Sequence, residues 1–130
     1  MDNAATVIQV VLGVLLPIGG LVKIIVPYAK YSSIPAVGWS KEFKPMHLKL
    51  LGLLEVSGGI GLLAPLLLPS LTLQAPMLAP LAAVGVALYM AGAIATHLRR
   101  SEYPHIVGIL IVFLVPALFV AYYRLVGFAV

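Results

Sequence analysis

The sequence predicts an all-α protein, a polytopic membrane four-helix bundle. Three observations carry this reading. Four apolar runs, each of about 20 residues, have the length a helix needs to cross roughly 30 Å of hydrocarbon. Hydrophobic residues make up 62% of the 130 positions and charged residues 9%, whereas soluble domains carry about a quarter charged; mean hydropathy is +1.13. Most of the charges stand at the ends of the runs and not within them. The runs are too long for a transmembrane barrel and lack its alternation of polar and apolar positions. The length fits one domain over residues 1–130.

The first span covers about residues 5–27, mostly VIQVVLGVLLPIGGLVKIIVP. No basic residue precedes it, so it is expected to be retained and not cleaved as a signal peptide. Pro17 is a point where it can bend, as membrane helices tolerate when neighbours satisfy the freed carbonyl. A loop over residues 28–45 mixes Lys30, Lys41, Glu42 and Lys44 with Tyr28, Tyr31, Trp39 and Phe43, a composition suited to the headgroup zone. The second span, about residues 46–68, ends between Pro65 and Pro69. A short uncharged link, PSLTLQAP, leads to the third span, about residues 77–97. Arg99, Arg100, Ser101 and Glu102 then precede the fourth, about residues 104–123.

Four spans put both termini on one side of the membrane. The other side holds Lys30, Lys41, Lys44, Arg99 and Arg100, with Lys49 close by, while Arg124 is the one basic residue near the termini. The positive-inside rule therefore predicts cytoplasmic basic loops and termini outside. The net charge of +4 reads as orientation and contact with anionic lipid, not as nucleic-acid binding. The chain has no cysteine, which excludes disulfides, thiol redox chemistry and thiolate metal sites within it.

Glu55 is the informative residue. It stands inside the second span, with Gly52 three positions before it and Gly59 four after it, all on one helical face. A carboxylate there is costly without a partner or a cavity. Lys23, the one charge in the first span, lies roughly 6 Å from the basic-loop end of its helix and Glu55 roughly 13 Å from the same side. A lysine stem covers most of that difference, so the two are predicted to approach each other as an intramembrane polar pair. Two other readings stay open: Lys23 extending to the headgroups, and Glu55 as a protonated acid bonding a neighbouring helix. On the third span Gly85, Tyr89, Gly92 and Thr96 share a face. Tyr89 is at nearly the depth of Glu55, which places it to hydrogen-bond the carboxylate or simply to pack. His97 ends that span and joins Tyr89 as a candidate pocket residue; an interfacial histidine is the plainer reading. Gly20, Gly52, Gly59, Gly85 and Gly92 are expected to be helix-packing positions.

No catalytic set can be argued from spacing: there is no Ser/His/Asp arrangement, phosphate loop or dinucleotide fingerprint. His47, His97 and His105 form no recognised metal-ligand motif, and no metal is expected.

Gly20-Leu-Val-Lys23, Leu50-Leu-Gly-Leu-Leu-Glu55, Pro80-Leu-Ala-Ala-Val-Gly85 and Ala93-Ile-Ala-Thr-His-Leu-Arg-Arg100 together resemble the DoxX-like family over nearly the whole chain. The Gly-x-x-Lys and Gly-x-x-Glu-Val elements are also similar to the NACHO receptor-assembly chaperones, although the long basic tail of those proteins is missing here. The resemblance implies a compact four-helix membrane bundle, with Lys23 and Glu55 as its polar pair, and points to a bacterial inner membrane. It also implies several roles. One is a non-enzymatic accessory or assembly factor acting through intramembrane helix contacts with another membrane protein or a second copy. Another is a small membrane subunit of a quinone-linked oxidoreductase, with quinone as the candidate cofactor. The residues themselves leave a further reading open, a lipid or small-molecule binder using a pocket around Glu55.

Overall fold

A computed structural model describes residues 2–101 and 104–129; Glu102, assigned above to the loop before the fourth span, lies outside them. The described residues are helical, with no strand. Four long helices follow the apolar runs: α1 (Asp2–Ile25), α3 (Pro45–Leu67), α5 (Leu78–Arg99) and α6 (Pro104–Ala129). Within them lie four stretches long and apolar enough to cross a membrane, with hydropathy of 1.9 to 2.6. The protein is therefore an integral membrane bundle. Its outer faces fit that solvent: Val7, Val10, Val14, Ile18, Leu21 and Ile25 form an exposed apolar stripe along α1, one residue about every turn.

Boundaries move by one to three residues at most ends. The exception is α6, which runs to Ala129 instead of about residue 123, because Arg124 finds partners on α1 and does not end the helix. The two expected links are also helical. Residues 28–45 hold α2 (Tyr28–Ser32) and a 3₁₀ segment (Pro35–Glu42) kinked at Val37. The link before α5 holds α4 (Pro69–Gln74). Pro27, Pro35, Pro45 and Pro69 each stand at or just before a helix start, where a missing N–H costs nothing and φ is already set.

The bundle is two tight antiparallel pairs, α1 with α3 and α5 with α6, joined by sparser contacts. In the first pair the small positions recur every seven residues, Gly13 and Gly20 on α1 against Gly59 and Gly52 on α3. A Cβ on Gly52 would come within 2.5 Å of the Gly20 carbonyl oxygen, so backbone meets backbone. Pro17 cannot donate to the carbonyl of Gly13, four residues back. That carbonyl faces Gly59, and the Pro17 ring fills the space where a Gly59 side chain would stand. In the second pair alanines do similar work at four-residue spacing, with Ala83 and Ala87 on α5 and Ala117 and Ala121 on α6. Leu12, Leu16, Leu62, Val86, Met90 and Val120 fill the space between the pairs.

Candidate functional site

Close approach of α1 and α3 brings their charges together. Lys23 sits in the last turn of α1 and Glu55 ten residues into α3, and the Lys23 Nζ donates to Glu55 Oε2 at 2.7 Å. Both residues are about nine-tenths buried. Gly20 makes room, since a Cβ there would crowd the Gly52 carbonyl, Val56 and the Glu55 Cβ, and Gly19 leaves the Glu55 carboxylate in ordinary contact with α1. The lysine stem lies along the α1–α3 seam, its Cβ 3.0 Å from where a Cβ on Gly52 would stand. The pair is thus sealed on the α1 side by backbone, and what remains of Glu55 faces the gap between α3 and α5.

That gap is a cavity of about 630 Å³. Leu16, Leu54, Gly58, Ala82, Gly85 and Leu88 line most of it, and Glu55, Ser57 and Tyr89 are its polar groups. Leu54, Leu81 and Leu88 at its margin are more than half exposed, so it opens sideways, where lipid tails lie. The size and the lining, apolar with a few polar groups, are those of a small-molecule site. Tyr89 lies beside Glu55 on this wall, its phenol in electrostatic contact with the carboxylate.

Above the pair lies a strap made of α2 and the 3₁₀ segment. Trp39 is its centre. The indole packs edge-on against Tyr31 at 6.4 Å, Phe43 at 5.8 Å and His97 at 6.1 Å between ring centroids. Lys23 Nζ lies 6.0 Å from the indole centroid, at cation–π range. The Tyr28 hydroxyl donates to the Phe43 carbonyl at 2.8 Å, pinning the two ends of the strap. Glu42 latches it to α5, accepting from Arg99 and from Arg100 at 2.7 Å each. Burial, and then the nearby Glu55 carboxylate, push the Tyr31 hydroxyl above its usual pKa.

His97 is buried, its ring edge-on against Trp39. It lines a second compartment of about 280 Å³ with Trp39, Phe43, Thr96 and Tyr89. Gly20, Gly52 and Gly59 stand at the α1–α3 seam. Gly85 and Gly92 do not pack a helix: both are exposed, and a Cβ on either would meet nothing within 4 Å. This corrects their assignment as packing positions. The shared face of α5 is turned into the open groove beside α3, where helix–helix contact is sparse.

Sequence reasoning missed a second polar constellation at the other end of the bundle. Gln9, 1% exposed, donates to the Leu62 carbonyl at 2.6 Å and accepts from Arg124 Nε at 3.0 Å, while an Arg124 terminal nitrogen donates to Thr6 at 3.0 Å. A glutamine inside an apolar run was the available signal, because an amide in hydrocarbon must find partners. No group of three or more His, Cys, Asp or Glu side chains among the described residues is placed to hold a metal ion.

No curated protein and no solved structure matches the chain. The model of the DoxX-like family matches residues 7–120, which takes in both members of the ion pair, the strap and the cavity. The chain belongs to the DoxX-like family.

Proposed function

We propose that this protein is an accessory membrane subunit that holds an amphiphilic small molecule, a lipid or a quinone, in the cavity between α3 and α5. The observation that carries this reading is the pairing of Glu55 and Tyr89 on the wall of a mostly apolar cavity open to the lipid. An intramembrane carboxylate marks a functional site by default. Lys23 holds the Glu55 carboxylate in place from the opposite side and leaves its cavity face to a ligand. In this reading the strap faces the cytoplasm, supported by the basic residues on that side.

Action as an assembly factor through glycine-lined helix contacts is the second reading. It draws less support, because Gly20, Gly52 and Gly59 are occupied within the α1–α3 pair.

The test is gentle purification of the full chain, followed by mass spectrometry of what it retains. A lipid or quinone should be recovered in about stoichiometric amount and lost on Glu55→Gln. Glu55→Gln leaves Lys23 buried without its counter-ion, so the double variant Lys23→Met, Glu55→Gln serves as the folded control and should also lose the ligand. Retention unchanged in the double variant, or no small molecule on the native protein, sinks the reading.

A further inference from the structure

The two compartments beside α3 and under the strap adjoin one another and form a groove along α5. The larger is lined from Leu78 to Tyr89 and the smaller from Leu88 to His97, and they share Leu88 and Tyr89. At 1.5 Å per residue the groove follows α5 for about 28 Å. Its width comes from glycine. Gly85 and Gly92 stand at successive seven-residue positions on α5, and the space beside each is empty to 4 Å.

The groove changes character along its length. The compartment under the strap sets Trp39, Phe43, Thr96 and His97 beside Leu51 and Ala93, so polar and aromatic groups take a larger share of its wall, at the level of the helix ends where Arg99 and Arg100 begin. The compartment beyond Tyr89 is mostly leucine, alanine and bare backbone, with the Ser57 hydroxyl as its polar group away from the boundary. Tyr89 and Glu55 mark the boundary. A bilayer has the same profile, polar at its surface and apolar towards its middle.

We propose that the groove takes a single-chain amphiphile lengthwise, with its head under the strap between Tyr89 and His97 and its one chain lying past Gly85 towards Leu78. This rests on the ligand-binding reading above and names the class of ligand and its direction. A lipid of the strap-side leaflet already points that way. It enters sideways between Leu54 and Leu88 without turning over, and the larger compartment, at about 630 Å³, is of a size for one chain. Glu55 and Tyr89 then meet the lower edge of the head group, and the strap residues Trp39 and Phe43 cover its top.

The experiment uses the full chain in phosphatidylcholine vesicles and two photoactivatable palmitate probes, one with its diazirine near the carboxyl group and one with it near the methyl end. The first should label peptides carrying Trp39, Phe43 or His97, and the second peptides around Leu78 to Ala82. Gly85→Leu, which fills the slot without touching the α1–α3 seam, should cut labelling by the second probe about tenfold. Gly108→Leu, at another position with open space around it, should leave both patterns unchanged. Labelling in the groove that is reversed, unordered or indifferent to Gly85→Leu overturns the lengthwise arrangement and leaves the ligand-binding reading standing. Labelling no stronger in the groove than on the outer face of α6 overturns the single-chain amphiphile, and the ligand-binding reading then stands or falls on the molecule that mass spectrometry finds retained.

Discussion

Gly20 and Gly52 face one another across the α1–α3 seam so closely that a Cβ on either would run into the carbonyl oxygen of the other. That contact sets the depth at which Lys23 and Glu55 meet. Two helices that approach backbone to backbone leave no lateral room for a long side chain between them. The lysine is directed along the seam to the carboxylate, and the carboxylate is directed out to the far side.

The first prediction follows from that geometry. Gly52→Val or Gly20→Val forces the pair apart, because the obstructing atoms are backbone and cannot swing away. Overpacking of this kind costs about 1–3 kcal/mol. Gly85→Ala, at an open helical position, should gain stability by roughly 0.5–1 kcal/mol through backbone entropy alone. Thermal unfolding of the three variants in one detergent separates the two classes. Equal behaviour of Gly52→Val and Gly85→Ala contradicts the seam described here.

The seam was partly legible in the sequence and the groove was not. Gly52 and Gly59 flank Glu55 at helical spacing, Gly20 precedes Lys23 by three, and a buried charge must find a counter-ion, so three of the four glycines at the seam and both members of the ion pair could be named. Gly13 went unread and Pro17 was legible only as a point where the helix can bend, although Gly13 and Gly20 repeat the seven-residue spacing of Gly52 and Gly59. Gly85 and Gly92 repeat it again but face open space. The same sequence signal thus marks a tight contact on one helix and a gap on another, and only the distance between helices tells them apart. The strap was read as loop because eight residues of 3₁₀ helix rich in small and polar side chains carry no apolar period. Its latch could have been read: Glu42 is the only acid in the first basic loop, and Arg99 and Arg100 form the next basic cluster on the same side.

A second prediction concerns the ion pair. Removing one member of a buried pair costs about 3–5 kcal/mol, because the other charge is left unpaired, whereas replacing both by apolar or neutral groups of similar size is close to neutral. Lys23→Met and Glu55→Gln should each lower the unfolding temperature strongly, and the double variant should recover most of the loss. A double-mutant cycle checks this through its coupling energy. Additive losses would mean that the two side chains act independently.

A third prediction concerns the strap. Glu42 and Arg99 are solvent-exposed at 36% and 71% of their side chains, so the latch contributes no more than about 1 kcal/mol to global stability. Its effect is local. Glu42→Gln should leave the unfolding temperature within error while exposing Trp39. Because Trp39 is the only tryptophan in the chain, a red shift of its emission and greater access to a soluble quencher report the strap directly. The same changes should follow added salt in the native protein, since exposed ion pairs are screened.

The last prediction lies at the opposite end of the bundle. Gln9 joins three elements through one amide, giving its N–H to the Leu62 carbonyl of α3 and taking the Arg124 N–H of α6 on its oxygen. Gln9→Leu keeps the volume and removes both links. The Leu62 carbonyl and the Arg124 guanidinium each lose one partner while keeping others, and a lost hydrogen bond costs about 0.5–1.5 kcal/mol, more where the donor is charged. Gln9→Glu keeps the acceptor for Arg124 but loses the donor to Leu62, and its carboxylate is drawn to the guanidinium. Loss of stability should therefore be larger for Gln9→Leu than for Gln9→Glu. Hydrogen exchange localises the effect: protection should fall at the C-terminal turns of α6 and stay unchanged around Glu55, about two helical turns deeper along α3 than Leu62. Exchange that rises instead throughout α1 and α3 would mean that Gln9 supports the α1–α3 pair itself and not its junction with α6.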